Sequence, residues 1–324
     1  MGSRATSSHT VLDLLRLTTT YFAERGVDTP RLDAEVLLAH VLGMDRVGLY
    51  VNFDRPLQTN EVDAYRESVR RRARREPVAY IIGEKEFMGR SFTVTPDVLI
   101  PRPETELLVE AVLHEYVDEH QSAQPQPDQE GESALQGLDT ADKAEARTAP
   151  PLRFCDVGTG SGVIAVMLAL SQPQAHITAV DVMPAALAIA EANAVRHGVA
   201  ERIDFYTSDL FAQLTPGALF DCIVSNPPYI PQAVLPSLAP EVQKEPQVAL
   251  AAGPDGLQVI RALMAQAPAR LKPGGLLALE IGADQGKAVA TLGDDYGYAG
   301  VEIRPDYAGR DRVALLRTQG ESEA

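Results

Sequence analysis

The spacing of apolar residues divides the chain into a helical start and a longer stretch of alternating strands and helices. Thr10 is placed to cap a helix whose apolar residues Val11, Leu14, Leu15 and Phe22 recur near helical spacing. Thr29-Pro30 opens a second helix, with Leu32, Val36, Leu37 and Val41 as its apolar stripe and Gly43 as its stop. A third runs from about Thr59 to Arg75, and the three predict a small helical domain over residues 1–76. Val78 to Thr95 reads as a hairpin: Tyr80 to Phe87, a turn at Met88-Gly89-Arg90, then the alternating run Ser91 to Thr95. Val98 to Glu106 carries two prolines and leads stiffly into a helix beginning near Glu104. It fits either a segment folded over a ligand site, bringing Arg102 or Thr105 to it, or a plain interdomain linker.

From Leu152 the pattern changes. Strands are predicted at Arg153 to Val157, His176 to Val180, Ile203 to Thr207, Phe220 to Ser225, Leu276 to Ile281, Val301 to Arg304 and Val313 to Arg317. Helices fit between them at Gly162 to Ser171, Pro184 to His197 and Gly256 to Arg270, and Lys272-Pro273-Gly274-Gly275 reads as a turn. Seven strands, the last two close together, predict an α/β fold with a mostly parallel sheet finished by a hairpin. The expected organisation is a helical domain (1–76), a hairpin and hinge (77–110), and an α/β domain (111–116 and 151–324). Between the parts of the last lies 117–150, rich in Gln, Pro, Asp, Glu, Ala and Ser without periodicity. That composition predicts a flexible acidic insertion.

Composition narrows the function. The net charge of −16 argues against a general nucleic-acid binder, although −6 of it sits in residues 117–150, which hold eight acidic and two basic residues. Arg70 to Arg75 holds five arginines in six positions. They read as a solvated helix end, or as a patch for an acidic or RNA-like partner. No apolar run approaches the ~20 residues of a membrane helix. The polar start, Met1 to Ser8, has no signal-peptide core, so a cytoplasmic protein is expected. Cys155 and Cys222 both fall in predicted buried strands and read as core packing, and the six histidines show no ligand spacing.

The chemistry concentrates after four strands. Ser225-Asn226-Pro227-Pro228-Tyr229 ends the run Phe220 to Val224, and the prolines force Asn226 to stay extended at the carboxyl end of a strand. Open α/β sheets place ligands there. The loop suits gripping a planar NH2 group: the Asn226 side chain and the Pro227 carbonyl accept, and the Tyr229 ring lies against the flat face. A plain strand-ending turn with a packed tyrosine is the other reading. Upstream, Gly158-Thr159-Gly160-Ser161-Gly162 follows the first strand and opens a helix, a loop that lets backbone approach a ligand closely. Asp181 ends the second strand, 19 residues after Gly162, where a carboxylate takes ribose hydroxyls. Asp209 and Leu210 follow the third, placed for an adenine amino group and its ring. A dehydrogenase uses a similar glycine loop. The second, planar-NH2 grip beside the nucleoside site weakens that reading.

This combination resembles the Rossmann-like S-adenosylmethionine-dependent methyltransferases. Asn-Pro-Pro-Tyr occurs in those acting on adenine N6 and on glutamine amides, and the motif alone does not separate the two. Residues 79 to 109, including Leu99-Ile100-Pro101-Arg102-Pro103-Glu104-Thr105-Glu106, look like the hinge of the HemK/PrmC family of peptide chain release factor glutamine N5-methyltransferases. So does Asp306-Tyr307-Ala308-Gly309-Arg310-Asp311-Arg312-Val313. The resemblance covers nearly the whole chain apart from 117–150, and this chain has Leu210 where family members often carry an aromatic residue. It implies a class I methyltransferase domain with a helical first domain that contacts class 1 release factors, and methylation of the glutamine of their Gly-Gly-Gln loop. By position, Gly158, Thr159, Gly160, Ser161, Gly162, Asp181, Asp209 and Leu210 would hold S-adenosylmethionine. Asn226, Pro227, Pro228 and Tyr229 would hold the glutamine, with Asn226 also beside the methyl donor. No metal, membrane or stable nucleic-acid partner is expected. A ribosomal-protein glutamine methyltransferase, a DNA adenine methyltransferase and a non-catalytic cofactor-binding module remain the alternatives.

Overall fold

The computed structural model describes residues 9–121 and 150–320. The first part is helical: α1 (Val11–Ala23), α2 (Pro30–Leu42), α3 (Arg46–Val51), α4 (Thr59–Ala73) and α5 (Val78–Ile82). Thr10 caps α1 reciprocally. Its hydroxyl accepts from the Asp13 N–H at 3.2 Å, and the Asp13 carboxylate accepts from the Thr10 N–H at 3.0 Å. In α2 the buried face is not the expected stripe. Ala34, Leu37 and Leu38 are buried with Asp33 and Glu35, whereas Leu32 is 41% exposed and Val36 and Val41 are only half-buried. The face turns because both carboxylates are partnered inside. Asp33 meets Arg72 at 2.6 Å, and Glu35 takes Arg31, Arg46 and the Tyr50 hydroxyl. Buried charge persists only when paired in this way.

The arginine run is a solvated helix end only in part: Arg70 and Arg74 are exposed, and the others are tied into the fold. Arg72 points inward and bridges Asp33 to Glu241, at 2.6 and 2.7 Å. Arg75 also reaches Glu241, Arg71 holds Glu76, and Arg70 pairs with Glu67. Glu241 belongs to the long loop after the Asn-Pro-Pro-Tyr stretch. The end of α4 therefore ties the helical region to the α/β region.

Val78–Ile82 is a helix, not the first half of a strand. Pro77 precedes it, Gly83 ends it, and the consecutive residues Tyr80 and Ile81 are both buried, which a half-buried strand cannot achieve. The hairpin is shorter than expected: β1 (Glu84–Phe87) and β2 (Arg90–Thr93) turn through Met88 and Gly89, both at positive φ. Then α6 (Pro103–Gln121) carries helix into the first five residues of the expected insertion. Residues 122–149 of that insertion lie outside the described residues.

The remainder runs β3 (Arg153–Val157), α7 (Val163–Ser171), β4 (His176–Asp181), α8 (Pro184–Arg196), β5 (Ile203–Thr207), β6 (Phe220–Ser225), α9 (Gln258–Gln266), β7 (Leu271–Glu280), α10 (Gly286–Asp295), β8 (Gly300–Pro305) and β9 (Asp311–Arg317). Its sheet has the order β5-β4-β3-β6-β7-β9-β8, parallel from β5 to β7, with β9 antiparallel to both neighbours. Lys272-Pro273-Gly274-Gly275 is not a turn before β7. It is absorbed within the strand, where pairing jumps from Phe220 opposite Leu271 to Cys222 opposite Leu276. Apolar clusters cover both faces of the sheet, and Cys155 and Cys222 are free thiols buried in them. Order reverses between β3, which leads outward to β4, and its other neighbour β6. A crevice opens at such a switch point, outside the carboxyl ends of the strands.

Candidate active site

A cavity of about 320 Å³ occupies that crevice. One wall is the loop after β3. Gly158 (φ 75°) and Gly160 (φ 54°) adopt left-handed backbone, and a Cβ on either would point into open space, with nothing nearer than 4.0 Å. The loop is held from below. The N–H groups of Gly158 and Thr159 donate to the Val180 carbonyl, and the Thr159 hydroxyl donates to Asp156 at 2.6 Å. Asp156 is fully buried, and burial raises its carboxyl to about 7 against the pull of the Thr159 hydroxyl and the Ala165 N–H. Ser161 is buried, and its carbonyl accepts from Asn193. Gly162 stands outside the cavity wall, and its role there is packing: a Cβ would lie 2.9 Å from that of Ala190 on α8.

Asp181 ends β4 and closes the same wall. One carboxylate oxygen accepts from the Gly160 N–H and the other from the Met183 N–H, both at 2.9 Å. These bonds fix the carboxylate and leave further lone pairs toward the cavity. After β5, Asp209 is exposed on the rim and Leu210 is half-buried at φ 49°. The Ser208 hydroxyl donates to the Leu210 carbonyl and accepts from the Gln213 N–H, holding that turn in place.

The opposite wall is the loop after β6. Ser225 is anchored to the Val157 carbonyl at 2.6 Å. Asn226 is half-buried, and its Nδ2 donates to the Thr105 hydroxyl at 3.0 Å. Among the described residues its Oδ1 accepts no hydrogen bond. Pro227 and Pro228 line the cavity beside it. Tyr229 stands outside the wall. Its ring packs against the core and its hydroxyl donates to Glu280 at 3.2 Å, so burial, followed by the Glu280 charge, pushes the phenol up. Gln285 holds the Tyr229 carbonyl, and Gly256 lies so close beneath it that a Cβ would come within 2.4 Å.

The segment from Asp97 to Thr105 does fold over the site. Pro101, Arg102 and Thr105 line the cavity, and Glu245 fastens the segment by accepting from the Ile100 N–H and pairing with Arg102. Glu280 escaped the sequence reading. Its one signal is a single carboxylate closing the apolar run Leu276-Leu277-Ala278-Leu279. It is fully buried at the end of β7, and burial raises its carboxyl to about 7 against the Thr105 hydrogen bond and the Arg312 charge.

A glycine cradle, a strand-end carboxylate, a rim aspartate and apolar lining from Val157, Ile164 and Leu263 fit a nucleoside cofactor with a charged tail. Set on this sheet order beside an Asn-Pro-Pro-Tyr loop, they define a Rossmann-like class I methyltransferase. The PrmC N-terminal domain matches residues 13–83, and the methyltransferase small domain matches residues 136–253. A release factor glutamine methyltransferase from Geobacter sulfurreducens is 42% identical over 306 residues, 94% of this chain and 95% of its own length. Another, from Nitratidesulfovibrio vulgaris, is 38% identical over 320 residues, 98% of each chain. The chain belongs to the release factor glutamine methyltransferase family, and its cofactor is S-adenosyl-L-methionine. Among solved structures, the hMettl16 catalytic domain in complex with a 3′UTR hairpin shares the fold, with a TM-score of 0.51 at 15% identity over 78% of this chain and 82% of that one. No helix among the described residues is long and apolar enough to cross a membrane.

Proposed function

We propose that this protein methylates the side-chain nitrogen of the glutamine in the Gly-Gly-Gln loop of class 1 peptide chain release factors, in the cytoplasm. The carrying observation is the pinned Asn226 amide, whose Nδ2 is committed to Thr105 while Oδ1 is left to accept. A glutamine amide brings two N–H donors on a planar, weakly nucleophilic nitrogen. Asn226 Oδ1 and the Pro227 carbonyl accept those donors, orienting the nitrogen and favouring the positive charge that develops on it. The cofactor supplies an electrophilic methyl group on a sulfonium. The new N–C bond forms as the S–C bond breaks, with its electron pair left on sulfur. The methylated nitrogen then sheds a proton to water, so no strong base is needed.

In this reading Gly158 to Ser161 cradle the cofactor, with Gly162 packing behind them. Asp181 takes the ribose hydroxyls, Asp209 the adenine amino group, and Leu210 packs on the ring. Pro228 walls the glutamine pocket and Tyr229 anchors the loop from behind. Residues 1–76 form the recognition domain for the release factor, 77–110 a hairpin and hinge, and 111–116 with 151–324 the methyltransferase domain. The test is transfer of labelled methyl from S-adenosylmethionine to a purified release factor, with a Gln-to-Asn change in its Gly-Gly-Gln loop as control. Plasmid DNA and ribosomes run in parallel. Label on the wild-type factor alone supports the proposal. Label on DNA or on ribosomal protein instead contradicts it.

A further inference from the structure

An asparagine amide has nearly the same shape either way round, yet one orientation presents an acceptor and the other a donor. A substrate amide nitrogen brings only donors, so Asn226 must turn Oδ1 toward it. Thr105, the neighbour of Nδ2, does not decide this alone, because a hydroxyl both donates and accepts. The deciding group lies one step further back. Thr105 is 2% exposed, and its Oγ1 is 2.7 Å from Oε2 of Glu280, which is fully buried at the end of β7. An ionised carboxylate only accepts. With Glu280 ionised, the single Thr105 proton is therefore committed to it, and only lone pairs face Asn226.

We propose that Thr105 and Glu280 are positioning residues that fix which way round the Asn226 amide stands, and so make it an acceptor for the substrate nitrogen. This rests on the reading of the Asn226 loop as the amide site. The three residues come from the start of α6, the end of β7 and the loop after β6, so the relay also locks these segments together. The second Glu280 oxygen takes the Tyr229 hydroxyl at 3.2 Å. Besides Thr105 and Tyr229, the charged groups acting on Glu280 are Arg312 of β9, which favours its ionised form, and Glu104 of α6, which opposes it. Protonated Glu280 becomes a donor. The order of bonds then reverses: Glu280 donates to Thr105, Thr105 donates to Asn226, and Nδ2 swings toward the substrate. Transfer should therefore fail on the acid side of the Glu280 titration.

The experiment compares Thr105→Val, Thr105→Ser and Glu280→Gln with the wild type in release-factor methylation. Thr105→Val lowers kcat on the order of 10- to 100-fold, while the cofactor Kd stays within about twofold. Thr105→Ser, which keeps the hydroxyl, restores kcat to within about threefold of wild type. The acid limb of the wild-type kcat profile is absent in Glu280→Gln. A Thr105→Val enzyme as fast as wild type overturns the proposal, as does a serine variant as slow as the valine one, or an acid limb unchanged in Glu280→Gln. A second arm needs no release factor. By NMR, the Asn226 side-chain amide protons, assigned by their loss in Asn226→Ala, exchange more slowly in wild type than in Thr105→Val. Equal exchange overturns the proposal. Failure of wild-type methylation alone instead counts against the release-factor reading.

Discussion

The two walls of the cavity are built by different rules. On the cofactor side, the contact residues sit at or just after strand ends. Their partners lie close by, Thr159 on Asp156, Asp181 on Met183 and Leu210 on Ser208, or on the adjacent strand, Gly160 on Asp181, 21 positions away. On the amide side, Asn226 is held by Thr105, 121 positions away, and Thr105 by Glu280, 175 positions away. A buried carboxylate backs each wall, Asp156 behind one and Glu280 behind the other, and burial lifts both to about 7. The local wall needs only strand ends and glycine freedom. The other exists only once the hinge, β6 and β7 have docked. Cofactor binding and methyl transfer should therefore be separable by mutation.

Gly256→Ala is the sharpest intrusion on the amide side. Its Cβ would come within 2.4 Å of the Tyr229 carbonyl and 2.9 Å of Gln285. Displacing the loop should lower kcat on the order of 100-fold, with cofactor affinity retained by calorimetry. An equal loss of both would mean the walls are one unit. Gly162→Ala strikes the packing beneath the other wall, with a Cβ 2.9 Å from that of Ala190 at φ 81°. It should cost about 2 kcal/mol of stability, read as a lower urea midpoint. Asp181→Ala should weaken cofactor affinity roughly tenfold, about 1.4 kcal/mol, with kcat at saturating cofactor near wild type. An unchanged Kd would remove Asp181 from the ribose site.

The smallest effect concerns pH. Unfolded carboxyls release their protons at about pH 4, whereas Asp156 and Glu280 hold theirs to about 7 in the fold. Between those limits the folded chain binds more protons. Their contribution to stability is therefore full below about pH 4 and is lost as pH rises through about 7. Asp156→Asn should flatten the decline in urea midpoint between about pH 5 and about pH 8.

The same contrast explains what the sequence revealed. The five parallel strands, the glycine loop and the strand-end carboxylates were legible because period, glycine spacing and position after a strand are local signals. The α2 stripe, the inward Arg72 and Glu280 were not. In each, a charge that local rules send to solvent is buried against a distant partner: Asp33 with Arg72, Arg72 with Glu241, Glu280 with Thr105. Val78–Ile82 has apolar residues suited to either helix or strand, and only Gly83 behind it marks the helix end. Thr105 was legible as a candidate from the stiff prolines before it, but its chemistry depends on Glu280.

The most direct test of separability is Asn226→Ala, measured twice on one preparation: cofactor Kd by calorimetry, and single-turnover methyl transfer to a release factor. The account predicts a Kd within about twofold of wild type and transfer abolished. Equal loss of binding and transfer, or transfer at the wild-type rate, would contradict it.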